Sequence, residues 1–315
     1  MKKTNQLVFA VLTTLMLANL SGCLSQNNEE VSEDGSSPLD GESQAGLTTH
    51  CAEIAEVERC WMLLVPEQLP IGEPVPMVLD LHGGGGTNSL QYNMSGFAEL
   101  AEAQGFIVAY PQAHGERNWD IDIDGLRNDY DDMGYLMTII NTTSEEHPVD
   151  ANRIHMTGWS NGCMMTQRFA VETQSVLASA GCMSGYLMKD APATYSAPIP
   201  FMEVHGVLDP VVQYLDNTAI TTIAIGNPGA GFNRGAVQNM EYWADLNGCS
   251  GAVHELLELG QNYDIRGYDE CEAGAEVRLM SLHLAGHNVY QGGTPNGIPT
   301  TQMLWEFLSQ FSNEG

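Results

Sequence analysis

Basic residues are scarce in this chain. Its 315 residues carry 11 lysines and arginines against 40 aspartates and glutamates, a formal net charge of −29. A surface of that sign repels nucleic acid and anionic membrane, and neither is expected as a partner. The simplest physical reading is a surface adapted to salty water, where screening relieves self-repulsion. On that reading molar sodium chloride raises the melting temperature. A melting temperature indifferent to salt from about 0.05 to 2 M would remove the explanation. Long apolar runs are missing too: the longest early one, Leu7 to Leu17, is too short to span a bilayer. No cysteine pair has C-x-x-C spacing, which leaves no zinc-site signature. No lysine follows the glycine run His82-Gly83-Gly84-Gly85-Gly86, which argues against a phosphate cradle. There is no internal repeat.

What is present begins with an export pattern. Lys2 and Lys3 precede the Leu7–Leu17 run, and Leu20-Ser21-Gly22-Cys23 follows it. The tetrapeptide resembles a bacterial lipobox, which implies cleavage before Cys23 and lipidation of that cysteine. Residues 24–46 are acidic, rich in serine and glycine and free of aromatics, the composition of a disordered tether. The expected organisation is a signal peptide over 1–22, a tether over 23–46 and one domain over 47–315. The expected location is the bacterial cell envelope, with contact to membrane through the lipid alone. Leu24 after the cysteine resembles proteins sorted to the outer membrane; a freely secreted protein is the alternative. Besides Cys23 the chain holds six cysteines, an even number that suits disulfides in an exported protein.

The remainder alternates between strand-like and helix-like segments. Strands are expected at 59–65, 77–81, 106–110, 153–157, 176–180, 201–204 and 277–282. Helices are expected at 95–104, 131–140, 163–170, 240–246 and 301–311. Such alternation predicts an α/β fold with a mostly parallel sheet covered on both faces and function at the carboxyl ends of its strands.

Gly158-Trp159-Ser160-Asn161-Gly162 lies between one of those strands and the helix after it. It matches G-x-S-x-G, the sharp turn that projects a nucleophilic serine. A serine hydroxyl needs a base to take its proton and a group to orient that base. Asp209 and His287 follow in the order Ser…Asp…His used by α/β-hydrolases, each just past a strand end. His283 is the rival base and Asp216 the rival acid. Donors for an oxyanion would be the N–H groups of Asn161 and Gly84.

His82-Gly83-Gly84, the Ser160 pentapeptide, His205-Gly206-x-x-Asp209-Pro210-Val211-Val212, Asn247-Gly248-Cys249 and Gly286-His287 together resemble extracellular polyhydroxyalkanoate depolymerases and feruloyl-esterase-type hydrolases, a family that includes acetylxylan esterases. The resemblance implies an α/β-hydrolase fold and carboxylic ester hydrolysis through an acyl-Ser160 intermediate, with no cofactor. It implies as substrate a polyhydroxyalkanoate-type polyester or its oligomers, with feruloyl or acetyl esters of plant polysaccharide as the alternative. A non-catalytic surface binding protein is the alternative of another class. Where the family places a tryptophan two residues after the histidine, this chain has Val289 and then Tyr290; Trp119 and Tyr290 are therefore expected at the substrate wall. In the inferred fold proximity pairs Cys51 with Cys60, Cys163 with Cys182 and Cys249 with Cys271.

One further pattern concerns metal. Asp120-x-Asp122-x-Asp124-Gly125, with Asn128 ninth and Asp131 twelfth, has the spacing of a calcium-binding EF-hand loop. Aspartate in the twelfth place, Arg127 in an apolar place and the lack of flanking helices favour instead a solvated acidic loop near the active-site mouth.

Overall fold

The computed structural model describes residues 46–115, 117–122, 130–215, 234–250 and 254–313. The chain separates into two units, residues 1–42 and 43–315. The first unit, with Cys23 and the export pattern, lies outside the described residues, as does nearly all of the expected tether.

The described residues build one ten-stranded sheet in the order β1-β2-β4-β3-β5-β6-β7-β10-β9-β8. Its strands are β1 Leu47–Ile54, β2 Val57–Leu64, β3 Val75–Leu81, β4 Ile107–Pro111, β5 Val149–Gly158, β6 Ser179–Met183, β7 Phe201–Gly206, β8 Glu255–Gly260, β9 Tyr263–Tyr268 and β10 Val277–Leu282. The helices are α1 Asn88–Ser95, α2 Phe97–Gln104, α3 Asp132–Glu146, α4 Asn161–Thr173, α5 Ala236–Leu246 and α6 Thr300–Leu308. From β4 to β10 the six central strands run parallel. Antiparallel strands flank them on both sides. This is the mostly parallel sheet that the alternation predicts, in the α/β-hydrolase architecture that the resemblance implies. Among the described residues no helix is long and apolar enough to cross a membrane.

Central strands read as nearly continuous apolar runs because both of their faces are covered. On one face α3, α4 and α5 contribute Tyr135, Ile139, Phe169 and Trp243 to a buried cluster. On the other, α2 and α6 contribute Phe97, Ala101, Trp305 and Leu308, with Phe106 stacked on Trp305 at 4.0 Å. Each large side chain so buried contributes roughly 1.5–3 kcal/mol. The flanking strands β1, β8 and β9 were not expected. Exposed polar residues interrupt them, Thr48, Thr49 and Glu53 in β1, Glu255 and Glu258 in β8 and Arg266 in β9, so they lack an apolar run. The strand expected over 176–180 lies at Ser179–Met183, its position set by pairing with β7 rather than by apolar Val176-Leu177.

Three disulfides join the expected pairs. Cys51 and Cys60 face each other across β1 and β2. Cys163–Cys182 ties α4 to β6, and Cys249–Cys271 closes the segment between α5 and β10.

Two buried carboxylates stand out. Asp132 pairs with Arg59 (Oδ1 to Nη2, 2.8 Å), both side chains 1% exposed. Asp80 in β3 is fully buried and accepts from Gln91 Nε2 at 2.6 Å. Burial, partly opposed by hydrogen bonds from Ser95 and Gln91, pushes its carboxyl up to about 7. A carboxyl whose folded pKa exceeds its unfolded value stabilises the fold at low pH, and that contribution is lost as pH rises toward 7. Asp80→Asn escapes this loss. Its stability relative to wild type is expected to improve by about 2–3 kcal/mol between pH 5 and pH 8, read by calorimetry at the two pH values. A gap independent of pH would sink the argument.

Candidate active site

Ser160 sits between β5 and α4 with φ 56° and ψ −118°, a left-handed conformation that side chains other than glycine seldom adopt. Its N–H donates to Met183 O at 2.8 Å, and Trp159 N–H donates to Leu81 O at 3.0 Å, pinning the turn to β6 and β3. The turn presses so close that a Cβ on Gly162 would lie 2.6 Å from His82 O. Glycine is therefore required there by contact with backbone.

Two loops meet at Ser160. The loop after β7 carries Asp209, and the loop after β10 carries His287. Leu208 N–H donates to Ala285 O at 3.0 Å, which joins the two loops. His287 Nε2 lies 2.9 Å from Ser160 Oγ, and its Nδ1 lies 2.7 Å from Asp209 Oδ2. Asp209 Oδ1 accepts from the N–H groups of Val211 and Val212 at 2.7 and 2.9 Å. Burial opposes ionisation of Asp209, but the bonds to His205 and His287 outweigh it and hold the carboxyl far below its ordinary value. With Asp209 ionised, His287 Nδ1 carries its proton toward the carboxylate and Nε2 is free to accept from Ser160.

The glycine run lies against the same turn. A Cβ on Gly83 would meet the Trp159 ring at 2.8 Å, and one on Gly84 would lie 3.5 Å from Asn161 Cβ. Neither Gly84 N–H nor Asn161 N–H is taken up by a backbone carbonyl of another described residue. His82 braces this loop. Its Nδ1 donates to Gly83 O at 2.7 Å and its Nε2 accepts from Ala113 N–H at 3.1 Å. Burial lowers its pKa to about 4, so the ring is neutral, as those two bonds require.

Trp119 and Tyr290, expected at the substrate wall, are buried instead, at 1% and 3% exposure. Trp119 anchors the glycine loop: its Nε1 donates to His82 O at 2.8 Å and its N–H to Asn161 Oδ1 at 2.6 Å. Tyr290 Oη accepts from Gln91 Nε2 at 2.6 Å in the interior. The aromatic ring beside the site is Trp159, tilted against His287 at 5.0 Å and donating to His287 O at 2.8 Å. It occupies the variable position of the pentapeptide, where residue type carries no signal. His283 lies apart from Ser160 in the hydrogen bonding, paired with Asp264 of β9 at 2.7 Å. Asp216 lies outside the described residues.

The acidic loop serves other ends where it is described. Asp131 Oδ1 caps α3 through Gly134 N–H at 2.8 Å. Asp120 lies 3.5 Å from Arg168, and Asp122 pairs with Lys189. Asp124 lies outside the described residues. One cluster of described residues, Cys51, Glu58 and Cys60, brings three potential metal-ligand atoms within 4.8 Å, but its two sulfurs are joined to each other.

A mostly parallel sheet with a serine at a left-handed strand–helix turn defines an α/β-hydrolase. More narrowly, the model of the esterase PHB depolymerase family matches residues 61–230, and the chain belongs to that family. Feruloyl esterase B of Piromyces equi is 27% identical over 242 residues, covering 75% of this chain and 42% of that protein. A bifunctional acetylxylan esterase/xylanase of Neocallimastix patriciarum is 24% identical over 245 residues, covering 76% of this chain and 32% of its own length. The chain thus spans less than half the length of either relative. An acetyl xylan esterase from Aspergillus awamori superposes with a TM-score of 0.59 at 17% identity, covering 83% of this chain and 98% of that one. At that identity it shares the fold.

Proposed function

We propose that the protein is a serine esterase hydrolysing carboxylic esters, with Ser160, His287 and Asp209 as its catalytic triad. The observation that carries the reading is the unbroken line of contacts from Ser160 Oγ through His287 to Asp209, at 2.9 and 2.7 Å. Ser160 Oγ attacks the ester carbonyl carbon while His287 Nε2 takes its proton. Asp209 holds the ring and stabilises the imidazolium so formed. The N–H groups of Gly84 and Asn161 donate to the oxyanion. As the ester C–O bond breaks, His287 returns the proton to the departing alkoxide. Water then attacks the acyl-Ser160 by the same route, releasing acid and free serine.

For the substrate, a polyhydroxyalkanoate-type polyester or its oligomers is the first reading. Leu208 and Val211 flank Asp209, Leu284 precedes His287 by three residues, and all three are exposed. Apolar side chains left in water on the loops that carry Asp209 and His287 suit a water-poor polyester better than a polysaccharide. Feruloyl or acetyl esters on polysaccharide form the second reading, supported by the likeness to a feruloyl esterase and an acetylxylan esterase. Hydrolysis measured side by side on a short-chain polyester film, methyl ferulate and acetylated xylan separates them. Turnover of none of the three would remove the esterase reading.

The same reading places the enzyme outside the cytoplasm, held to the envelope by lipid on Cys23 and spaced from the membrane by residues 24–46. Cys23→Ser is expected to shift the protein out of the membrane fraction or to block its maturation. Mass spectrometry of the mature amino terminus decides: an unmodified terminus at any other residue means free secretion.

A further inference from the structure

Behind Asp209 lies a second histidine that the mechanism above does not use. His205, in β7, is fully buried, and both of its nitrogens face acceptors. Glu203 Oε1 is 2.6 Å from Nδ1, and Val212 O is 2.8 Å from Nε2. Asp209 Oδ2, the oxygen that binds His287, is 3.5 Å from the same Nε2. A neutral imidazole has one N–H, so it can satisfy both sides only if Glu203 holds the second proton.

The surroundings decide where that proton resides. Glu203 Oε2 accepts from Asn239 Nδ2 at 2.7 Å, and Asn239 is fixed in turn by Gln167 Oε1 at 3.0 Å and by Leu187 N–H at 3.1 Å. Burial outweighs the bonds from His205 and Asn239 and holds the Glu203 carboxyl above its ordinary value. Asp209 breaks the tie: a carboxylate held ionised beside Nε2 draws positive charge onto the ring. Against burial, the bonds to Asp209 and Glu203 push His205 up to about 9. The other titratable groups against the ring are Tyr186, stacked at 5.1 Å and donating to Gln213 O, and Tyr214, edge-on at 5.8 Å and bonded to Ser281. As neutral phenols at working pH they leave the balance to the two carboxylates.

We propose that His205 is a buried imidazolium, with Glu203 as its counter-ion, that positions Asp209 from within the core and sets the lower pH limit of the reaction. This rests on the triad reading. The pair forms a dipole whose positive end faces Asp209, because Nε2 points to Asp209 and Nδ1 to Glu203. That end offsets part of the negative potential Asp209 exerts on His287. The charge on His205 thereby reaches the reacting end of the triad through Asp209, and the acid limb of the reaction reports it.

Glu203→Gln tests the idea without removing a hydrogen bond. The amide N–H donates to Nδ1 and the amide oxygen accepts from Asn239, leaving a neutral His205 with its proton on Nε2. The acid limb of kcat/KM on a soluble ester is expected to move up by about 0.5–1 unit. Nitrogen-15 NMR of the histidine-labelled wild-type full chain needs no variant and is expected to show both His205 nitrogens protonated at pH 7. A neutral His205 ring in the wild type, or an unmoved acid limb in folded Glu203→Gln, overturns the proposal. Failure of the triad reading is separate and visible as an active Ser160→Ala enzyme.

Discussion

Ser160→Ala is expected to lower kcat on an activated short-chain ester by at least about 10³-fold, with the fold retained. On the proposed mechanism the loss is large because the hydroxyl both forms the covalent bond and receives the benefit of the base. The fold survives because the Ser160 side chain makes no helix-capping bond, and alanine tolerates the left-handed turn no worse than serine does. His287→Ala is expected to be nearly as damaging, since a base 2.9 Å from the hydroxyl acts with it as one unit. The double variant is then scarcely worse than either single one. His283→Ala, which loses only the pair with Asp264, affects stability instead. Steady-state kinetics on the four folded variants checks the whole pattern. Activity of Ser160→Ala within tenfold of wild type would remove Ser160 from the mechanism, and a dead His283→Ala beside an active His287→Ala would exchange the two bases.

The second large effect concerns stability. Asp132→Ala is expected to cost about 3–5 kcal/mol, because it strands the Arg59 guanidinium in an interior where both side chains are 1% exposed. Arg59 keeps the face of Tyr135 at 4.0 Å and a bond of 3.3 Å to Gln112 O, but neither neutralises its charge. Asp132 also accepts from Asp120 N–H at 2.7 Å, next to Trp119, so the anchor of the glycine loop loosens with it. At a few degrees per kcal/mol the melting temperature drops by roughly 10 °C. Replacing both partners by apolar residues, Arg59→Met with Asp132→Leu, is expected to recover much of the loss, since no bare charge then remains. Calorimetry on the single and double variants tests this. A single variant within 1 kcal/mol of wild type would mean that water or another group compensates the charge.

What the sequence by itself determined is what short-range pattern controls. Alternating apolar runs of strand and helix length specify a parallel sheet covered on both faces, and β3, β4, β5, β7 and β10 stand close to where those runs lie. The pentapeptide at 158–162 announces its own turn, because only glycine fits where residue 162 meets the backbone of β3. The three cysteine pairs were legible once neighbouring elements were inferred, since each joins segments close in the chain. The edge strands β1, β8 and β9 were not, because their stability comes from pairing with a neighbour rather than from an apolar run of their own.

Tertiary structure alone decided the rest. It buried Trp119 and Tyr290, whose rings could equally have faced substrate, because each found a hydrogen-bond partner in the interior. It brought Ser160, Asp209 and His287 within hydrogen-bond reach from three loops, and set Trp159 beside them. It also placed Glu203, His205, Asn239 and Gln167 in one buried network across β7, α5 and α4. Residues separated by 36 and 72 positions along the chain share those bonds. Local pattern carries no record of such partners, because what fixes their charge is the absence of water, and that exists only once the sheet and its helices have closed over them.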